Sequence, residues 1–171
     1  MLKGRHILLT ELRPEDSPHL FEWINDPQTA RFNAPYKPVH AVSHDKWFES
    51  VLHDANRIIF AIREPRGKLL GFVQLIDIDP IHRSAELTIR IGDDKNRSQG
   101  AGSDAVKLIT DFAFRERNLQ RIWLRVFATN KRAMRAYEKA GLKKEGTLRR
   151  ARYIDGKWVD EIVMAVLRAK P

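Results

Sequence analysis

The sequence predicts a mixed α/β fold in a single domain, and three observations support this prediction. The length of 171 residues suits one domain, which can bury roughly 70% of its unfolded surface. Segments with strand-like alternation and segments with helical spacing of apolar residues follow one another along the chain. No repeat, low-complexity tract or linker interrupts them, so residues 1–171 are expected to form one unit in the order β-α-α-β-β-β-α-β-α-β-β.

The first half of the chain is predicted to form one strand, two helices and then three strands. In order, these elements are the strand His6–Leu12, a helix from Pro14 through Ile24, a helix capped by Ser43, and the strands Arg57–Arg63, Leu69–Ile78 and Ala85–Ile91. Pro14 suits the first turn of a helix, and the hydroxyl of Ser43 can accept a hydrogen bond from a helix-start amide. Prolines 27, 35 and 38 indicate a loop with short helical turns between the two helices.

The second half is predicted to form a helix, a strand, a shorter helix and a final hairpin. In order, these elements are the helix Ser103–Arg117, the strand Arg121–Phe127, the helix Lys131–Ala140, and the strands Leu148–Ile154 and Val159–Leu167. Apolar residues at helical spacing mark one face of the first helix. Gly141 is expected to end the second helix, and Asp155-Gly156 is a strong hairpin-turn signal.

Composition restricts the class of protein. A hydrophobic fraction of 43% with 31% charged residues is ordinary for a soluble globular protein. No apolar run approaches the roughly 20 residues that span a bilayer, and the N-terminus lacks the apolar stretch of a signal peptide. The chain has no cysteine, which excludes a disulfide framework, a thiolate zinc site and a cysteine nucleophile. We therefore expect a cytoplasmic protein with no membrane partner.

The net charge of +9 predicts attraction to an anionic partner, which could be nucleic acid, a membrane surface or a phosphorylated cofactor. The 31 lysines and arginines are spread along the chain without a long block, so a basic tail is not expected. A nucleic-acid-binding module is the competing interpretation, and the basic, aromatic stretch Arg149–Tyr153 hints at it. Nucleic acid is nevertheless not the expected partner.

A glycine loop, Arg97-Ser98-Gln99-Gly100-Ala101-Gly102, lies between a predicted strand and a predicted helix. Glycines allow a ligand close to the backbone, and the free amides at a helix start bind phosphate. The alternative is a plain strand-to-helix turn. The chain has no Walker-type string, and the Rossmann-like match Gly100–Ala105 lies too far after its strand, with no acidic residue ending the next strand.

A second set of residues follows the strand Arg121–Phe127. Asn130 suits the N-cap of the next helix, and Tyr137 lies two turns further on the same face. The structural alternative for Tyr137 is a half-buried aromatic side chain that anchors a short helix.

Together, Arg97-x-x-Gly100-x-Gly102 and Asn130-x-x-Ala133-x-x-x-Tyr137 resemble the paired signature of the GNAT acetyltransferases. The further matches 85–87, 145–148 and 155–158 are similar to the branch that contains ribosomal-protein N-terminal acetyltransferases and spermidine acetyltransferases. The resemblance covers nearly the whole chain. It implies a single-domain GNAT fold, whose mixed, mostly antiparallel sheet has a splayed central strand pair and flanking helices.

The resemblance implies an acetyl-CoA-dependent N-acetyltransferase that moves an acetyl group to a primary amine by direct attack. It implies that the loop wraps the pyrophosphate and that the strand backbone before the loop pairs with the pantetheine arm. Lys131 and Arg132 are expected to meet the nucleotide phosphates. The implied cofactor-binding residues are Ile89, Arg90, Ile91, Arg97, Ser98, Gln99, Gly100, Ala101, Gly102, Ser103, Asn130 and Ala133.

Two residues are the implied catalytic groups. Tyr137 is expected to donate its proton to the leaving thiolate. Glu86, the one carboxylate of its strand, is the candidate base, acting through water. The alternative for Glu86 is a strand residue paired with Arg83 or Arg90. No metal is expected, because the histidines show no ligand spacing.

The acceptor stays open between a peptide N-terminus, a polyamine and an amino sugar. Neutralising a lysine-like amine at pH 7 costs roughly 4.6 kcal/mol, against about 1 kcal/mol for an α-amine, so a base matters more for the former. In spermidine acetyltransferases the segment before Pro-Tyr tends to be acidic. Here Asn33-Ala34 precedes Pro35-Tyr36, which argues against a polyamine. A homodimer through the tail hairpin and an open sheet edge is a family expectation, and a non-catalytic acyl-CoA binder is a further alternative.

Overall fold

A mixed sheet carries the fold. The structure, a computed structural model, describes residues 1–30, 32, 36–92 and 100–169. In this part of the chain the strands are β1 Leu2–Lys3, β2 Leu8–Thr10, β3 Ile58–Arg63, β4 Leu69–Asp79, β5 Ser84–Ile91, β6 Arg121–Phe127, β7 Lys143–Ile154 and β8 Lys157–Leu167. Their spatial order is β1-β2-β3-β4-β5-β6-β8-β7. Neighbouring strands are antiparallel except β5 and β6, which are parallel.

Helices cover both faces of the sheet. They are α1 Ser17–Asn25, α2 Pro27–Ala30, α3 Ala41–His53, α4 Ala101–Glu116 and α5 Lys131–Lys139, with a 3-10 turn at Pro14–Asp16 before α1. Successive side chains of a strand point to opposite faces. Ile62 accordingly packs in the larger core cluster with α4, whereas Ala61 packs with α1 and α3. The predicted α/β class, with helices flanking a mixed, mostly antiparallel sheet, is confirmed.

The central strands diverge. The ladder between β5 and β6 consists of the pairs Ser84–Arg121, Ala85–Ile122 and Glu86–Trp123. Beyond Glu86, β5 continues to pair with β4 as far as Ile91. Beyond Trp123, β6 continues to pair with β8 as far as Phe127. Each strand therefore follows its outer neighbour, and the splayed central pair is confirmed.

Most element predictions are confirmed, with four differences. The first strand, predicted over His6–Leu12, is confined to Leu8–Thr10. Ser43 is not the cap of α3, because His40 is the N-cap and its carbonyl oxygen already accepts the amides of Ser43 and His44. β1 and α2 are too short for a periodic pattern to reveal. β7 begins at Lys143 rather than Leu148, because two register shifts break the alternation that marks a regular strand.

Two turns follow their predicted chemistry. Asp155 and Gly156 have φ angles of 47° and 76°, as a two-residue hairpin turn of type I′ requires. Gly141, with φ at 96°, follows α5 in the left-handed conformation that ends many helices. No helix in the described ranges combines the length and apolarity needed to cross a membrane.

Candidate active site

The divergence of β5 and β6 opens a cavity of about 390 Å³. Leu87 to Ile91 of β5 form one wall, and Arg125 to Phe127 of β6 form the other. One face of α5 and Gly102 of α4 line the cavity on the side of the sheet that α4 covers. Phe32, from the N-terminal region, also lines the cavity. A cavity of this size falls in the range of small-molecule and cofactor sites.

The start of α4 has the properties of an anion site. Gly100 is its N-cap, with φ at 83°, and supplies no side-chain acceptor. The first amides of a helix have no acceptor within the helix, and here the 16-residue α4 directs its positive dipole end toward this region. A Cβ added to Gly102 would have no protein atom within 4 Å, although Gly102 lines the cavity. The protein itself therefore does not require glycine at this position, which fits the close approach of a ligand.

The described residues of the predicted cofactor-binding loop have different surroundings. Of the described ones, Gly102 lines the cavity, while Ala101 is buried in the main core cluster. The hydroxyl of Ser103 donates to the Gly100 carbonyl oxygen at 2.9 Å. Arg97, Ser98 and Gln99, predicted to bind the cofactor, lie outside the described residues.

The predicted pantetheine segment lies where a ligand can border it. Ile89, Arg90 and Ile91 line the cavity. On their outer side they pair with β4, while the ladder to β6 has already ended at Glu86. Gly71 permits the β4 approach, because a Cβ there would lie 2.0 Å from the Arg90 carbonyl oxygen. On the side away from β4, the segment Ile89–Ile91 therefore borders the cavity and not β6.

The second predicted set lies on one face of α5. The side-chain oxygen of Asn130 accepts a hydrogen bond from the Ala133 amide at 3.1 Å, so Asn130 is the N-cap. Asn130, Ala133 and Tyr137 all line the cavity, and Arg132 reaches it above the Phe32 ring. Burial raises the pKa of Tyr137 to about 12. The phenol is therefore protonated at neutral pH and can act as a donor.

Glu86 lies at the vertex of the cleft, the point where β5 and β6 begin to separate. Its carboxylate accepts two hydrogen bonds from Arg125, at 3.1 Å from Nε and 3.3 Å from Nη2. These contacts raise the pKa of Arg125. Of the alternative partners considered for Glu86, Arg83 is engaged elsewhere, because its guanidinium binds the carbonyl and side-chain oxygens of Asn118. Arg125 is the partner because it lies two residues beyond Trp123, the cross-strand neighbour of Glu86, on the same face.

Sequence reasoning missed a second charged pair. Buried Glu161 of β8 accepts a hydrogen bond from Nε of Arg152 at 3.0 Å, and both residues line the cavity. A signal was present, since Glu161 and Arg125 interrupt strands that are otherwise largely apolar. Arg152 belongs to the basic stretch that suggested nucleic acid, but its side chain lines the cavity.

Across the described ranges, no group of three or more histidine, aspartate or glutamate side chains could hold a metal ion.

The cleft between diverging parallel strands, the helix start that borders it and the tyrosine on α5 fit an acyl-CoA-dependent transferase. The family model of the acetyltransferase (GNAT) domain matches residues 6–143. The chain therefore belongs to the GNAT acetyltransferase family.

Relatives agree with this assignment. A spermidine N(1)-acetyltransferase of Vibrio cholerae is 30% identical over 139 residues, covering 81% of this chain and 79% of the relative. The crystal structure of Vibrio cholerae spermidine N-acetyltransferase with CoA and spermine superposes with a TM-score of 0.87 at 26% identity, covering 95% of both chains. A Bacillus subtilis protein provisionally described as a ribosomal N-acetyltransferase is 24% identical, covering 96% of this chain and 93% of the relative.

The protein is an acetyl-CoA-dependent N-acetyltransferase that transfers the acetyl group to a primary amine. The branch predicted from the sequence is confirmed by its spermidine and ribosomal relatives. The comparisons give no support to the nucleic-acid-binding module or to the non-catalytic binder.

Proposed function

We propose that the protein acetylates a small primary amine by direct attack on acetyl-CoA, with Tyr137 as the acid and Glu86 as the base. The observation that carries the proposal is that both side chains line one cavity although they belong to opposite faces of the sheet. Tyr137 packs against the core cluster under α4. Glu86 shares its face with Ile76 and Trp123, its cross-strand neighbours on either side.

In the proposed reaction the amine nitrogen attacks the thioester carbonyl carbon, a C–N bond forms and the C–S bond breaks. Glu86 takes up the proton that the amine loses, through water. The two-point contact with Arg125 fixes the direction of the carboxylate. Tyr137 donates toward the departing sulfur, which its pKa of about 12 permits throughout the neutral range.

The residues present fit acetyl-CoA. The start of α4 offers amides to the diphosphate, and Gly102 leaves room for it. The predicted pairing of the Ile89–Ile91 backbone with the pantetheine arm is supported by the cavity that borders this segment. Asn130 and Ala133 lie on the facing helix, where the arm would pass.

A polyamine is the second candidate acceptor, and the spermidine N-acetyltransferase relatives favour it. The charges of this chain favour a different amine. In the described lining of the cavity, the carboxylates are Glu86 and Glu161, and each is already paired with an arginine. The net charge of +9 also repels a polycation.

A thiol-release assay tests the proposal. Acetyl-CoA would be supplied with a panel of polyamines, amino sugars, amino acids and short peptides, and free CoA would be measured. Tyr137→Phe is expected to lower kcat by about 100-fold and to leave the Kd of CoA unchanged. Tyr153→Phe is the matched control, because Tyr153 is exposed on the hairpin outside the cavity. CoA binding without thiol release for any amine would refute the proposal.

A further inference from the structure

Four charged side chains share one face of the sheet beside the cleft. Glu86 lies opposite Ile76, which shares its face of β4 with Phe72, and Phe72 packs in the core cluster of α1 and α3. Arg125 and Glu161 lie on the same face, because Arg125 pairs with Val163 and Phe127 pairs with Glu161. The fourth member is Arg152, opposite Val159. The α1 and α3 core cluster draws its strand residues from β3 and β4, so these helices leave the charged part of the face uncovered.

The arginines, rather than the carboxylates, form the accessible surface of this set. The side chains of Arg125 and Arg152 are 37% and 42% exposed, against 8% for Glu86 and 6% for Glu161. The carboxylates therefore lie beneath the guanidinium groups. An incoming ligand on this face first meets cationic N–H donors.

Arg152 keeps most of its donors for such a ligand. A guanidinium has five N–H groups, and the contact with Glu161 uses the one on Nε. Among the described residues, no side-chain acceptor binds Nη1 or Nη2 of Arg152. Two parallel N–H groups of this kind match the oxygens of a carboxylate or a phosphate.

Glu161 keeps Arg152 in place. The buried carboxylate needs a partner, and Arg152 supplies it from the neighbouring strand across the bulge between Leu148 and Arg152. The bulge re-aims the strand, so that Arg152 points into the cavity while Arg149 stays exposed outside it. Arg152 is thus a fixed, half-exposed cation that lines the cavity on the face of the sheet that carries Glu86.

We infer that the acceptor is a primary amine that also carries an anionic group, a carboxylate or a phosphate, and that Arg152 binds this group. The inference rests on the proposed function, since the amine must lie between Glu86 and Tyr137. It adds a specificity: Arg152 attracts the anion and repels a polycation, and the net charge of +9 acts in the same direction at longer range. Arg125 remains a positioning residue for Glu86.

Matched acceptor pairs test the inference. Glucosamine 6-phosphate against glucosamine tests phosphate, and a glutamate-containing dipeptide against its glutamine analogue tests carboxylate. The wild-type kcat/KM is expected to be at least tenfold higher for the anionic member of one pair, and that pair identifies the anion. Spermidine is expected to be the poorer substrate.

Two variants and one control locate the effect at Arg152. Arg152→Gln is expected to lower kcat/KM for the anionic member by about tenfold to a hundredfold, mainly through KM, and to lower it by a clearly smaller factor for the neutral member. Because Arg152→Gln leaves Glu161 buried without its cation, the double variant Arg152→Gln/Glu161→Gln repeats the test without that charge. Arg149→Gln is the control on the same strand.

The outcomes separate this inference from the proposed function. Turnover with a preference for spermidine or for the neutral members would overturn the inference alone. Equal losses for both members of a pair in the double variant would also overturn it. Absence of turnover with every amine would overturn both, whereas an anion preference that Arg149→Gln keeps and the double variant loses would support both.

Discussion

The protonation of Tyr137 gives a direct physical test of the acid. Burial raises its pKa from 10.0 to about 12, which corresponds to about 3 kcal/mol between the two protonation states. The folded protein thus holds this proton more tightly than the unfolded chain. The resulting stability is fully present below pH 10 and is lost as the pH rises through about 12. Tyr137→Phe removes this contribution.

Two measurements on wild type and Tyr137→Phe check the shift. The difference in phenolate absorbance between the two proteins isolates one phenol, and its midpoint is expected near pH 12. Between pH 9 and pH 11 the wild type is expected to lose about 1 kcal/mol more unfolding free energy than the variant. A difference midpoint at or below pH 10 in the folded protein would refute the claim that burial holds the proton on Tyr137.

The remaining predictions concern the base and the helix start. Glu86→Gln is expected to lower kcat/KM by up to about 10³-fold for an acceptor with a pKa near 10.4, but by only about fivefold for an α-amine. The loss should shrink as the pH approaches the amine pKa, and Glu145→Gln, which breaks the Arg121 pair outside the cavity, is the control. Gly102→Ala is expected to raise stability by up to about 1 kcal/mol, because the methyl meets open space in a helix. The same methyl should weaken CoA binding at least tenfold in calorimetry, whereas Gly146→Ala should not; unchanged CoA affinity would contradict the diphosphate site at α4.

Residue patterns in the sequence predicted the helices and strands more accurately than they predicted the contacts between these elements. The strand Arg121–Phe127 was predicted with its observed bounds, because all of its residues except Arg121 and Arg125 are apolar. Asn130 was recognised as an N-cap from its residue type and position. The bulges of β7 and the early start of α3 escaped prediction, since neither leaves a periodic signal.

The partner of Glu86 shows why the site is harder to predict than the elements. Arg125 lies 39 residues from Glu86 in the sequence, and a parallel register joins them. Periodicity identifies each strand but not its neighbour or its register. The family resemblance supplied the splayed strands and the two motifs, but it did not supply Arg125, Arg152 or Glu161. These residues became visible only when the sheet order placed β5, β6, β8 and β7 side by side.

The register that ends the β5–β6 ladder also explains how one cavity can serve both substrates. Glu86 belongs to the last pair of the ladder, so its side chain lies where the two strands begin to separate. Arg125, two residues further along the other strand, reaches back across this vertex to bind it. The side-chain pair thereby joins the strands at the point where backbone hydrogen bonds cease. Because the strands are apart beyond this point, the proposed mechanism places the thioester along β5, with Tyr137 on one face of the sheet and the amine beside Glu86 on the other.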